Sequence, residues 1–130
     1  MQGQPIVFIS HFAVKPGHAE ALRTMWMDVI AELDASKPAT QAQIGYLNEE
    51  GSRLSIVHVF PDADALATHF LGAGERSRAA YAHIVPSGWE VYGSPHEANL
   101  AGLREEAVAA GVSLTVEPDV LGGFLRASGR

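Results

Sequence analysis

Residues 6–14 (IVFISHFAV) form a dense apolar run rich in Ile, Val and Phe, the pattern of a buried strand. Lys15-Pro16-Gly17-His18 breaks it,. From Ala19 the period lengthens. Leu22, Met25, Trp26, Val29, Ile30 and Leu33 recur at helical spacing, with Glu20, Arg23, Asp28 and Glu32 off the stripe. This predicts an amphipathic helix that stops near Ala35, ahead of Pro38. Residues 41–48 and 53–60 flank the polar turn Glu49-Glu50-Gly51-Ser52 and read as a hairpin,. Asp62 is a good N-cap for a short helix carrying Ala63, Leu66 and Phe70,. Gly72-Ala73-Gly74 interrupts that helix. A further helical stretch is expected over 75–85, ending at Pro86-Ser87-Gly88, and then a short strand over 89–93. Ser94-Pro95-His96-Glu97 reads as a capping box opening a helix with Leu100, Leu103, Ala107 and Val108,. Gly111 is its expected C-cap, and 112–116 (VSLTV) is a last strand,.

The order β-α-β-β-α-β, followed by α-β, matches the split βαβ plan, an α+β, ferredoxin-like fold with an antiparallel sheet and helices on one face. Both faces of the strands are nevertheless apolar. Ile6, Phe8, Phe12 and Val14 oppose Val7, Ile9 and Ala13; Leu54, Ile56 and Phe60 oppose Val57 and Val59. A half-solvated sheet alternates more cleanly, so the second face needs a cover. A second copy of the sheet, packed face to face in a homodimer, is the economical one. A monomer with the tail folded over that face is the other.

Length and composition narrow the classes. With 130 residues the chain suits a single domain,; residues 6–95 form the core and 96–130 an extension. No cysteine is present, which excludes disulfides, Cys-based metal sites and thiol catalysis. Nine Lys+Arg against fifteen Asp+Glu leave a net charge of −6, so no phosphate-binding surface for nucleic acid is expected. No run approaches a membrane span, and Met1-Gln2-Gly3-Gln4-Pro5 lacks signal-peptide features,. A cytoplasmic protein with neither membrane nor nucleic-acid partners is the expectation.

The pattern resembles the antibiotic-biosynthesis-monooxygenase family of dimeric α+β barrels. The resemblance rests on a first strand leading into VKPGHAEAL (14–22), the hairpin IGYLNEEGSRLSIVHVFPDADAL (44–66), THFLGAGER (68–76) and the closing strand EVYGSP (90–95). It implies a homodimer with a pocket in each subunit between sheet and helices. Members include cofactor-free monooxygenases of phenolic polycyclic substrates, quinol oxidases and haem-degrading enzymes. Ser10 falls near the position where the haem-degrading branch has an Asn. Trp26 and Trp89 lie outside the second helical region, where that branch has its Trp, which speaks against haem degradation. The resemblance therefore implies chemistry without flavin or metal, in which a deprotonated substrate itself reduces O2. A non-catalytic dimeric ligand-binding protein and a proton-transfer isomerase or cyclase stand beside it.

Three histidines are the catalytic candidates. His69 lies on the flank of the short helix's apolar stripe, where a neutral imidazole could take a phenolic proton; it also reads as a boundary histidine that packs or caps. The first and third strands are expected to be adjacent and parallel, which puts His11 and His58, each five residues into its strand, at a similar level; pointing to the same face, they form an imidazole pair for proton transfer or metal binding. The commoner outcome for such a pair is two partly buried histidines, hydrogen-bonded within a polar patch of the dimer interior. Tyr46, Tyr81, Trp89 and Phe70 are the aromatic candidates for orienting a ligand. Trp26 reads as core, and Arg76 and Arg78 either meet an acidic substrate or stay solvated. No metal-ligand spacing, nucleotide loop or nucleophile elbow occurs, so no metal site is expected.

Overall fold

The computed structural model describes residues 4–126; 1–3 and the last four residues of the tail lie outside them. The elements are β1 (Ile6–Val14), α1 (Ala19–Ser36), β2 (Ala42–Leu47), β3 (Arg53–Phe60), α2 (Ala63–Phe70), α3 (Ala73–Ala80), β4 (Ile84–Tyr92), α4 (Glu97–Ala110) and β5 (Leu114–Glu117). The sheet order is β2-β3-β1-β4-β5. β1 runs antiparallel to both β3 and β4, β2 antiparallel to β3, and β5 parallel to β4. Two split βαβ units thus interlock, and the architecture is ferredoxin-like.

One face of the sheet carries the core. Ile6, Phe8, Phe12 and Val14 of β1 are buried with Leu54, Ile56 and Phe60 of β3. Leu22 of α1, Ala65 and Leu66 of α2, and Leu103 and Ala107 of α4 close over them. On the other face Val7, Ile9, Val57 and Val59 are half-buried, and Ile44 and Tyr46 are exposed. The tail leaves Leu121 and Phe124 exposed rather than packed there.

Three sequence expectations need correcting. First, β1 and β3 are antiparallel, not parallel. A strand inserted between the two parallel strands of a split unit must run against both.

Second, the helix expected over 75–85 ends at Ala80, and β4 begins at Ile84, passing straight through Pro86-Ser87-Gly88. The pairing moves from His11↔Gly88 to Phe12↔Pro86, which leaves Ser87 as an extra, bulged residue,. β5 pairs with β4 only from Trp89 onward. At Pro86, β4 is therefore an edge, where a missing N–H breaks no ladder.

Third, the capping box does not form. The helix starts at Glu97 with His96 as N-cap. Ser94 Oγ instead donates to the carbonyl of Pro118 at 3.1 Å, fastening the end of β5 to the turn after β4. The turn between them requires glycine. Gly93 has φ +103°, and a Cβ there would meet the Pro5 carbonyl at 2.7 Å,.

Candidate functional site

A cavity of about 390 Å³ lies between the buried sheet face and the helices, within the ~300–1,000 Å³ common for small-molecule sites. Its walls are mostly apolar and aromatic: Phe8, Phe12, Ile56 and Trp89 from the sheet, Leu22, Met25, Trp26 and Val29 from α1, and Phe70 from α2. Gly74, Tyr81, Ala98 and Glu106 are its exposed members, so the mouth opens between α3 and α4. The C-terminal extension thereby supplies part of the site.

Trp26 is half-buried, packs against the core cluster around Phe12 and Leu54, and also lines the cavity. Gly45 makes room for it, since a Cβ there would come within 2.8 Å of the indole.

The polar groups gather at His58 and His69. α2 is set by Asp62, whose side chain accepts from the Ala65 amide at 2.8 Å,. The 3.6-residue period then turns Ala65, Leu66 and His69 inward,. The open carbonyls at the C-terminus of α2 are capped by two cations. Lys37 Nζ donates to the carbonyls of Thr68 (2.9 Å) and Leu71 (3.2 Å). Arg76 donates to those of His69 (2.7 Å) and Leu71 (3.2 Å),.

His69 is only 4% exposed and shares a 2.7 Å hydrogen bond through Nδ1 with Thr40 Oγ1. His58 is also buried, and its Nδ1–H donates to the Phe8 carbonyl at 3.0 Å, leaving Nε2 unprotonated,. The two rings meet edge to face with centroids 5.6 Å apart.

Burial is the main reason both imidazoles are hard to protonate. It lowers the His58 pKa to about 4, with the Arg76 charge adding to it and the Phe8 bond opposing it. It lowers His69 to about 3, with further repulsion from His58, Arg76 and Lys37. Both are neutral at pH 7. Near the mouth, burial raises the carboxyl of Glu106, and burial with the Glu106 charge raises the Tyr81 hydroxyl.

Acid should therefore destabilise the fold. Below about pH 6.5 the unfolded chain takes up protons that buried histidines refuse, so stability falls as pH drops toward the folded values. His58 alone should account for about 3 kcal/mol between pH 6.5 and about 4,. Urea unfolding across this range should show a shallower pH dependence for His58→Leu than for the wild type. Equal slopes would refute the assignment.

The structure brings together some of the candidates and separates others. His58, His69, Phe70, Tyr81 and Trp89 all line the cavity. His11 does not. Antiparallel pairing places Phe8 opposite His58 and Ser55 opposite His11, so the two histidines are three positions apart and on opposite faces. The expected His11–His58 pair is replaced by His58–His69. His11 instead bonds Ser55 Oγ at 3.0 Å and Glu90, which also accepts from Tyr92. Those two bonds, Tyr92's first, hold the Glu90 carboxyl below its usual range. Tyr46 is exposed on that same outer face, paired with Ser55, and lies outside the cavity.

Sequence reasoning missed Ser10 and Gln43, which line the cavity from β1 and β2. Gln43 Oε1 is buried without a hydrogen-bond partner. The available signal was a polar residue at an inward strand position, Gln43 being opposite His58. Among the described residues, no group of three or more His, Asp or Glu side chains converges as a metal site would require, and no helix is long and apolar enough to cross a membrane.

No protein-family profile matches the sequence, and no curated protein does. Solved structures match in fold. MupZ from Pseudomonas fluorescens superposes with a TM-score of 0.70 at 20% identity, over 94% of each chain. That coverage takes in most of the α4–β5 extension. SnoaB from Streptomyces nogalater, a cofactor-independent oxygenase, gives 0.59 at 14% identity over 72% of this chain and 96% of that one. A presumed antibiotic biosynthesis monooxygenase from Chloroflexus aurantiacus gives 0.54 at 12% identity, over 67% and 89%. The fold is that of the antibiotic biosynthesis monooxygenases. Likeness at these identities speaks to fold, and function has to be argued from the site.

Proposed function

We propose that the protein is a cofactor-independent monooxygenase acting on a small phenolic or quinol-like molecule. The observation that carries this reading is the pair of buried, neutral imidazoles in an aromatic-walled cavity beside the Arg76 guanidinium. The fold likeness to SnoaB supports it.

In this reading Phe8, Phe70, Trp26 and Trp89 hold an aromatic ring and exclude water. His69 accepts a substrate O–H proton, with His58 beside it. The imidazolium and Arg76 then stabilise the resulting anion. The electron-rich anion reduces O2. One oxygen atom ends in the substrate, the other leaves as water, and the substrate supplies the electrons. Burial makes the imidazoles weak bases in the empty cavity, and an anion forming against them raises their proton affinity.

The proposal includes a homodimer. A second sheet packed on Val7, Ile9, Val57 and Val59 would cover the apolar face that one subunit leaves open. It would also enclose the His11–Glu90–Tyr92 network.

The test is native mass spectrometry followed by oxygen-electrode assays on metal-chelated, flavin-free protein with a panel of anthrones and quinols. Expected are a dimer, one O2 consumed per turnover, and one labelled oxygen atom from 18O2 in the product. Saturable binding without O2 uptake would replace the proposal with a ligand-binding module. A monomer would remove the sheet-to-sheet packing.

A further inference from the structure

His58 and His69 differ in one respect that matters for turnover. A base that takes a proton must give it up before the next cycle, and the reduced oxygen needs a proton to leave as water. His58 has no route on its inner side: its Nδ1–H is committed to the Phe8 carbonyl within the β1–β3 ladder. His69 has one. Its Nδ1 meets Thr40 Oγ1 at 2.7 Å, and Thr40 is only half-buried. On its far side Thr40 lines a second, smaller cavity of about 190 Å³, between the end of α1 and the start of β2. Asp34, Lys37 and Gln41 line that cavity too, and Gln43 borders both. Its lining is polar and it is large enough for several waters.

We propose that Thr40 and this rear cavity form the proton exit of the site. The proton enters the imidazole at Nε2 from the main cavity. Nδ1–H passes its proton to Thr40 Oγ1 while the threonine's own hydroxyl proton moves to water behind it. This leaves His69 as its Nε2–H tautomer. Once O2 has been reduced, Nε2–H is given to the oxygen that leaves as water, and Thr40, resupplied from the rear cavity, returns a proton to Nδ1, which restores the starting tautomer with no net charge left in the protein. A hydroxyl is suited to this because it donates and accepts through one rotatable atom. Lys37, which caps α2 and borders the rear cavity, disfavours a cation resting on His69, so the proton is driven onward. Thr40 is in this scheme a positioning and relay residue; it does not touch substrate.

The inference builds on His69 as the base, but its test needs no substrate. The ring N–H of His69 exchanges with water at a rate that 15N-edited NMR measures, with the His58 ring N–H as an internal reference. Thr40→Val keeps the shape and removes the hydroxyl. It should slow His69 exchange roughly tenfold or more and leave His58 unchanged; Thr40→Ser should restore it. If Thr40→Val perturbs the fold, seen as a shifted His58 signal, Thr40→Ala is read in the same way. Unchanged exchange in a folded variant lacking the hydroxyl would overturn the proposal, since the proton would then leave through the mouth. Failure of the O2 assay with slowed exchange would sink the oxygenase reading and leave the relay standing.

Discussion

Replacing His69 with alanine should lower turnover of an oxidisable phenol by roughly 10²- to 10⁴-fold, the usual worth of a positioned general base. The effect should fall on kcat, because the aromatic walls that hold the ring are untouched. Three features single out His69. It is buried at the end of the cavity beside Arg76. Burial, His58 and the two cations capping α2 keep it neutral at assay pH. It alone of the two cavity histidines has a hydroxyl on its inner nitrogen. His58→Ala should cost less, since His69 and its exit remain. Full turnover by a folded His69→Ala variant would remove the mechanism, whatever the substrate proves to be.

Phe60→Ala should lower unfolding free energy by about 3–5 kcal/mol, through lost burial and the cavity left behind. Phe60 is completely buried, ends β3 opposite Ile6, and belongs to the cluster that joins Leu66, Trp89, Val91 and Leu103. Its ring also packs on both site histidines, stacked near His58 at 6.1 Å and edge-on to His69 at 5.2 Å. Opening that space to water should move the histidine titrations up toward the ordinary value, because burial is the largest cause of their low pKa,. Denaturant unfolding reads the first effect, and NMR titration of the ring protons reads the second. A loss under 1 kcal/mol would mean that the helices collapse into the gap and that the packing is looser than described.

Most of the fold was legible because its signals are local. The alternation in β1 and β3, the stripe from Leu22 to Leu33, the Asp62 cap and the Gly111 stop each lie within a few residues. The physics they report is equally local: strand pleat, helix period and orphan backbone groups. Local signals failed where a partner distant in sequence decided. Pro86-Ser87-Gly88 reads as a stop. It lies within β4 because the bulge opposite His11 absorbs the extra residue and β5 has not yet joined. Ser94 has capping-box spacing, yet its hydroxyl is drawn to the Pro118 carbonyl of the returning chain.

The same division holds for the site. His69 and Phe70 were readable from the helix period; Tyr81 and Trp89 were named on side-chain type alone, a ground that also named Tyr46, which lies outside the cavity. The pairing of histidines was not. Whether His58 meets His11 or His69 depends on strand direction and register, and a reversal of direction exchanges one partner for the other,. Thr40 carries no sequence signal at all; it matters because the chain leaving α1 passes behind α2 at hydrogen-bond distance. Sequence by itself determined the order of elements, the inward residues of each strand and the absence of thiol chemistry, since these follow from residue type and short-range period. Tertiary structure alone decided which polar groups share a cavity and how far their proton affinities shift, because burial and proximity depend on segments remote in the chain.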